Sequence, residues 1–368
     1  MKILHTEASC GWGGQEIRIL EESRGMIGRG HDLTVACPPH ARIAEEARRY
    51  AVPIVQLPIE FRTFKGLVAL RRHLSHGGYD MVNTHSSADS WLVALACATL
   101  PKPPAIVRTR HISAPVSGNL ANRWLYRQAK MTVTTGERLR ENLIDTLELD
   151  ASRVVSIPTG IDTERFKPPV DKASAKTKLG LDPDGRYIGI VATLRSWKGH
   201  LDLLEAFSNL DRPGWNLLII GDGPMREPIE KKVIELEISG RVRLVGQQNR
   251  PEDWLSGLDI FCLPSYANEG VPQAILQAML TGLPILTTPV GSITEAVSDG
   301  ETGLVVPQRA PEALVAGFHR LIDDIPLATR LGMAARSAAV GRFGLGNMLA
   351  SMENAYVKAV MIDRGSTK

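Results

Sequence analysis

A glutamate, a glutamine and a helix start stand close together in Glu269-Gly270-Val271-Pro272-Gln273-Ala274-Ile275-Leu276-Gln277. The apolar run Ile260–Leu263 before them reads as a strand. Pro272 reads as the first residue of a helix, where its missing N–H costs nothing. The N–H groups of Gln273 and Ala274 then point out of the helix start, which suits a phosphate. Glu269 precedes the helix and Gln277 lies one to two turns inside it. The two can therefore hold different parts of one extended ligand, Glu269 a sugar end and Gln277 a nucleoside end. A glutamate before a helix also simply favours the helix dipole, which accounts for Glu269 but not for the whole set.

Three further segments carry chemistry. In Leu194-Arg195-Ser196-Trp197-Lys198-Gly199, two cations lie on one loop after a strand and could neutralise charge on a departing nucleotide diphosphate; the alternative is a solvated basic loop. In Gly11-Trp12-Gly13-Gly14-Gln15-Glu16, the glycines let backbone approach a ligand at a helix start. That segment is not GxGxxG, and a plain tight turn explains it equally well. His85 and His111 both fall at the carboxyl ends of expected strands, where each could donate a hydrogen bond to a sugar hydroxyl or a phosphate oxygen. A lone histidine is more often structural. His111 is the stronger candidate, because Arg108 and Arg110 beside it would attract an anion.

The elements that must position these residues alternate. Short Val- and Ile-rich runs are separated by amphipathic stretches, the pattern of parallel sheets covered by helices. In the first half, strands are expected at Met1–His5, Asp32–Cys37, Val52–Leu57, Met81–Thr84, Ala105–Arg108 and Met131–Thr134, and a further run lies at Val154–Ile157. The alternation restarts at Tyr187–Thr193 and runs through Asn216–Ile220, Val242–Val245, Ile260–Leu263, Pro284–Thr287 and Gly303–Val306. Residues 168–184 are poor in large apolar side chains, which places a linker near Pro168–Asp171. The fold class is α/β, with two Rossmann-like doubly wound domains whose substrates would meet in a crevice beyond the strand ends.

Composition narrows the class. At 368 residues the chain fits two domains, and 43% apolar content is enough for two cores. The four cysteines Cys10, Cys37, Cys97 and Cys262 are scattered, without CxxC or a neighbouring histidine at metal spacing. Disulfides and structural zinc are not expected, and a reducing, cytoplasmic setting is. The N-terminus has no signal-peptide core, and no apolar run is long enough to span a membrane. Residues 1–168 hold 22 Lys and Arg against 17 Asp and Glu, so the first half is basic, although a net charge of +3 overall gives no call for nucleic acid.

Taken in order, these residues resemble the GT-B retaining glycosyltransferases of family four, which include bacterial lipopolysaccharide, capsule and exopolysaccharide transferases. The landmarks run nearly end to end. They are Lys2-Ile3-Leu4-His5 with Gly13-Gly14, Gly30-His31-Asp32-Leu33, Ile157-Pro158-Thr159-Gly160-Ile161-Asp162 with Arg165-Phe166, Lys198-Gly199, Gly221-Asp222-Gly223-Pro224, Pro264-Ser265 through Met279, and Gly300-Glu301-Thr302-Gly303-Leu304. The resemblance implies an N-terminal acceptor-side domain over 1–168, a nucleotide-sugar domain over 169–345, and a C-terminal helix over 346–368 that crosses back onto the first domain. It implies a nucleotide-diphosphate sugar donor, UDP-sugar by default, with no cofactor and no catalytic metal. Glu269 would contact sugar hydroxyls, backbone N–H groups from Val271 to Ala274 would reach sugar and phosphate, and Lys198 would neutralise the diphosphate. Gly13 and Gly14 would close over the donor, and His111 would lie near the anomeric carbon. Configuration would be retained.

Two positions depart from the family pattern. Gln277 stands where a second glutamate is usual, eight residues after Glu269, and Thr193 stands where arginine usually precedes the lysine by five. Glutamine can still accept a ribose hydroxyl through its carbonyl oxygen, and Arg195 could supply the missing cation. A dehydrogenase fails on the absent GxGxxG. A GT-B nucleotide-sugar epimerase and a non-catalytic nucleotide-sugar-binding protein are the alternatives. The acceptor is expected to be a saccharide or a lipid-linked saccharide. Arg71-Arg72-His73 and Arg123-Trp124-Leu125-Tyr126-Arg127 suit an anionic membrane surface, which would place the protein peripherally on the inner face of the plasma membrane; a solvated helix face is the other reading.

Overall fold

The computed structural model describes residues 1–111 and 114–365. The chain folds into two compact units, Met1–Gly160 together with Gly346–Lys368, and Ile161–Leu345. The division therefore falls before the expected linker at Pro168–Asp171. The reason is that residues 161–166 are anchored rather than loose. Ile161 donates its N–H to Phe343 O and accepts from Leu345 N, both at 2.9 Å, and Ile161 and Phe166 belong to the second hydrophobic core.

The first unit is a seven-stranded parallel sheet. Its strands are β1 (Lys2–Thr6), β2 (Asp32–Cys37), β3 (Ile54–Gln56), β4 (Met81–Thr84), β5 (Ala105–Arg110), β6 (Met131–Thr134) and β7 (Val154–Ser156), in the order β3-β2-β1-β4-β5-β6-β7. Its central strands are covered on both faces, so β1 after its first residue and the whole of β4 and β6 are buried, even where they carry His5, Asn83 or a threonine. Helix starts are locally encoded. Thr63 accepts the N–H of Gly66 ahead of helix Phe64–Gly77, and Ser86 with Asp89 forms a capping box ahead of helix Ser87–Cys97. The last helix, Leu345–Gly365, buries Met352, Tyr356 and Ala359.

The second unit holds β8 (Arg186–Val191), β9 (Trp215–Ile220), β10 (Val242–Gly246), β11 (Ile260–Leu263), β12 (Ile285–Thr287) and β13 (Leu304–Val305), all parallel, in the order β10-β9-β8-β11-β12-β13. In each sheet the order reverses beside the first strand, between β1 and β4 and between β8 and β11. The carboxyl ends of those strand pairs are where an open parallel sheet takes its ligand.

Two elements differ from the plain alternation. Directly after the expected linker at Pro168–Asp171, the stretch poor in large apolar side chains holds a helix, Lys172–Lys178, capped by the Asp171 side chain, which accepts from Ala173 N and Ser174 N. Its one buried residue is Lys176, whose Nζ donates to Asp259 Oδ2 at 3.0 Å and Gly185 O at 2.7 Å. Polar bonds hold this helix, so it has no apolar stripe to read. The stretch Ile293–Val297, which the alternation of strands with amphipathic segments makes a helix, is only a short 3-10 turn, Ile293–Glu295.

Candidate functional site

In the second unit the loops after β8 and β11 are locked together. Tyr266 N donates to Trp197 O at 2.8 Å. Gly199 has φ +75°, and a side chain there would put Cβ 2.1 Å from Pro264 O, so only glycine lets the two loops close. The result is a direct ion pair, Lys198 Nζ to Glu269 Oε1 at 2.7 Å. Ser265 Oγ donates to the same oxygen at 2.7 Å. Oε2 of Glu269 takes no hydrogen bond from the described residues, so it keeps acceptor capacity while Oε1 is fixed. Lys198 Nζ has three N–H donors and spends one on Glu269.

The backbone around Glu269 is equally constrained. Asn268 adopts φ +57°, a left-handed conformation that asparagine tolerates. From the other side Gly291, at φ +58°, sits where a Cβ would fall 1.8 Å from Glu269 O. Glu269 is thus aimed by a turn before it and a tight backbone contact behind it, and its side chain is only 5% exposed.

Other expected residues are placed differently. Pro272 is the cap of helix Gln273–Leu280 rather than its first residue, with ψ +129°, because it closes the loop in an extended conformation. A proline cap offers no side-chain acceptor, so the N–H groups of Gln273 and Ala274 at the helix start receive none from it. Gly270 and Val271 form the short link between Glu269 and that cap, with Val271 buried. Gln277 is half-buried, one helical turn beyond Gln273. Arg195 is exposed, with its guanidinium 5.8 Å from the Trp197 ring. His200, just past the lysine loop, had no sequence signal. It is 2% exposed, neither ring nitrogen has a hydrogen-bond partner among the described residues, and burial followed by the nearby Lys198 charge pushes its pKa down to about 4.

In the first unit, Gly13 caps helix Gly14–Gly28 without a side-chain bond. A Cβ on Gly13 would meet only Glu16 Oε2, at 3.7 Å, and its φ of −170° is open to any residue. The fold itself does not demand glycine there. Behind this loop, three histidines meet at the ends of β1, β4 and β5. His85 Nδ1 lies 2.9 Å from His111 Nε2, and His85 Nε2 lies 3.1 Å from His5 Nδ1. The two histidines singled out in the sequence are therefore in contact, through a pair that points inward to a third. Burial holds His5 at a pKa of about 3 and pushes His85 and His111 well below the usual histidine value, so all three are neutral near pH 7.

Glu7, at the end of β1, is buried and accepts from Ser9 N at 2.7 Å and from the Gln15 side chain. Burial first, and the Asp89 carboxyl next, raise its pKa to about 8. A carboxyl whose folded pKa is raised contributes stability that is complete below its unfolded value near 4.5, is eroded as pH climbs, and is gone above about 8. Glu7→Gln should therefore stabilise the protein at pH 9 by about 1–3 kcal/mol and change little at pH 5. Thermal unfolding at the two pH values checks this; equal shifts at both would show that Glu7 is ionised throughout.

Cys10, His40 and Glu60, from the loops after β1, β2 and β3, bring one ligand atom each within 4.8 Å of one another. His40 Nε2 already contacts Glu60 Oε2 at 3.0 Å and is largely exposed. Their spacing along the chain gave no hint of this meeting.

Residues 12–165 match the sequence family described as Glycosyltransferase Family 4, and residues 171–338 match Glycosyl transferases group 1. The chain is similar to the lipopolysaccharide core biosynthesis mannosyltransferase LpsB of Rhizobium meliloti, at 35% identity over 176 residues, covering 45% of this chain and half of that protein. It is 26% identical to the UDP-Gal:alpha-D-GlcNAc-diphosphoundecaprenol alpha-1,3-galactosyltransferase of Escherichia coli over 381 residues, covering 98% of each. Among solved structures, a glycosyltransferase from Rickettsia africae superposes with TM-score 0.86 at 19% identity, covering 98% of each chain. Anabaena HepE, in complex with UDP and glucose, superposes with TM-score 0.85 at 19% identity, covering 96% of this chain and 98% of that one. At these identities the superpositions establish the fold.

Proposed function

The chain belongs to the GT-B glycosyltransferases of the family 4 and group 1 type, and from that premise we propose that it moves a sugar from a nucleotide-diphosphate donor, UDP-sugar, to a saccharide or lipid-linked acceptor in the synthesis of cell-surface polysaccharide or lipopolysaccharide. The observation that carries this reading is the Lys198–Glu269 pair at the carboxyl ends of β8 and β11. Glu269 offers Oε2 to sugar hydroxyls while Lys198 keeps two N–H donors for the diphosphate, so one ion pair serves both halves of such a donor. The start of helix Gln273–Leu280 adds backbone N–H groups for phosphate. Gly13 and Gly14 offer a second backbone surface of the same kind in the first unit.

The reaction proceeds with retention and without a metal in this reading. Glu269 already gives Oε1 to Lys198 and Ser265, which suits a hydroxyl holder better than a base, and Lys198 supplies the positive charge that eases departure of the nucleotide diphosphate. No organic cofactor is called for. The galactosyltransferase relative acts, by its name, on a UDP-sugar and a diphosphoundecaprenol-linked sugar, which supports a UDP donor and a lipid-linked acceptor here. Transfer is favoured over epimerisation by the relatives, which are transferases.

A membrane-facing acceptor side also fits the first unit. Phe61, Phe64 and Leu120 are exposed at 65, 81 and 83%, Trp91 stacks on Trp124 at 5.8 Å, and Arg62 lies 6.0 Å from the Trp91 ring. Aromatic and basic groups on one surface suit anionic headgroups at the inner face of a membrane. Among the described residues no helix is long and apolar enough to cross a membrane.

A thermal-shift panel of nucleotide diphosphates and their sugars tests the donor. UDP or a UDP-sugar at about 100 times its Kd should stabilise the second unit by about 2.7 kcal/mol, and indifference to every nucleotide would overturn the reading. Cosedimentation with anionic vesicles at low salt should capture the protein; no capture would remove the membrane surface from it.

A further inference from the structure

The histidine contacts continue beyond His5 into a fully buried chain. His5 Nε2 lies 3.3 Å from the Tyr356 hydroxyl, and that hydroxyl donates to Glu22 Oε1. Asn83 Nδ2 also donates to the Tyr356 oxygen, at 2.9 Å, with its own Oδ1 held by the Thr109 hydroxyl at 2.9 Å. Glu22 stands 3.8 Å from Arg18 Nε, and both side chains are 0% exposed.

The direction of this chain follows from counting protons. Burial raises the Glu22 carboxyl and the Arg18 charge 3.8 Å away pulls it back down. With Glu22 as the carboxylate that balances the fully buried guanidinium, it can only accept. Tyr356 has one proton, and Glu22 takes it. The tyrosine oxygen then has its lone pairs for Asn83 Nδ2 and for a proton on His5 Nε2. With Nε2 protonated, neutral His5 accepts on Nδ1, so His85 must donate from Nε2. His85 in turn accepts on Nδ1, so His111 must donate from Nε2. The last free position is His111 Nδ1, which has no hydrogen bond from the described residues and carries a lone pair.

We propose that the buried chain Glu22–Tyr356–His5–His85 fixes His111 in the Nε2–H tautomer, so that its Nδ1 is a hydrogen-bond acceptor that takes a sugar hydroxyl and cannot serve a phosphate oxygen. His5, His85 and Tyr356 are positioning residues acting through His111. On this assignment His111 donates only inward, to His85, and accepts from the ligand: a phosphate oxygen, itself an acceptor, is excluded, while a hydroxyl, which can donate, is selected. The sugar-hydroxyl part rests on the transferase reading; the tautomer does not.

The test is a long-range 1H–15N spectrum of the full chain labelled at histidine, recorded without donor. His111 should show a protonated Nε2 and an unprotonated, imine-type Nδ1. Tyr356→Phe removes the oxygen that receives the His5 proton and keeps the ring. It should release the bias at His111 into a mixture of both tautomers and lower kcat by about tenfold at unchanged donor KM, the scale on which partners that orient a histidine act. A proton on His111 Nδ1 in the unaltered protein would overturn the proposal, and that spectrum needs no variant to fold. A Tyr356→Phe protein with unchanged spectrum and kcat would overturn it as well. If the spectrum is as expected but no sugar is transferred, the transferase reading fails and the tautomer assignment stands.

Discussion

Glu269→Ala should lower the rate of sugar transfer by about 10²–10³-fold while leaving affinity for the nucleotide diphosphate within about twofold. Glu269 touches the lysine and serine that flank it through Oε1 and keeps Oε2 for the substrate. Its loss removes hydroxyl contacts that matter most as the sugar develops positive charge, and those are transition-state contacts. Lys198, no longer shared with a carboxylate, turns all three donors to phosphate, so nucleotide binding is held or slightly tightened. Lys198→Ala should show the opposite split, with nucleotide affinity falling first. Glu269→Gln keeps one hydroxyl-accepting oxygen and should fall between. Calorimetric titration with UDP beside steady-state kinetics separates these outcomes. If Glu269→Ala loses nucleotide affinity in step with transfer, the two residues do not divide the donor between them.

The candidate residues of the second unit were legible because they are neighbours in sequence. Glu269 and Ser265 lie within one loop, and Lys198 ends the loop that a parallel sheet must place beside it. The pairing of Lys198 with Glu269 itself has no signal in the sequence, where each residue reads as reaching separately for the ligand. Nor was Pro272 as a cap legible, because proline serves a first helical turn and an extended cap equally well in sequence. Nor was the setting of Arg195 legible: two cations three residues apart on a loop need not point the same way, and this one lies over the Trp197 ring.

The candidate residues of the first unit were legible only in fragments. His85 and His111 announced themselves by standing at strand ends, but His5 sits inside the strand β1 and reads there as an interruption of an apolar run. Their meeting depends on β1, β4 and β5 being adjacent, a strand order that follows from crossover topology and not from any local signal. Tyr356 lies still farther away, on the last helix, and nothing in a helical stripe marks one tyrosine as the partner of a residue near the N-terminus. The same holds for helix Lys172–Lys178, whose stability lies in an aspartate cap and a buried lysine amine rather than in apolar periodicity.

The largest expected loss of stability comes from the other end of the histidine chain. Arg18 is wholly buried and donates from Nη1 to Ile157 O at 2.9 Å and Thr159 Oγ1 at 3.3 Å, but its Nε has no hydrogen-bond partner among the described residues and faces Glu22 across 3.8 Å. The contact is therefore ionic rather than a shared hydrogen bond, and its value lies in keeping a charge from being alone. Glu22→Ala would strand that charge in the core, at a cost of about 3–5 kcal/mol. That is a large fraction of the roughly 5–15 kcal/mol that keeps a domain folded. Removing both charges should cost less than removing one: Arg18→Met with Glu22→Gln leaves no stranded ion, and the glutamine oxygen still accepts from Tyr356. Urea unfolding should therefore rank the proteins as unaltered, then double variant, then Glu22→Ala, with the double variant recovering more than half of the loss. If the double variant is instead the least stable, the pair contributes net binding energy in the core, and Glu22 is held there for its attraction to Arg18 and not for the cost of its absence.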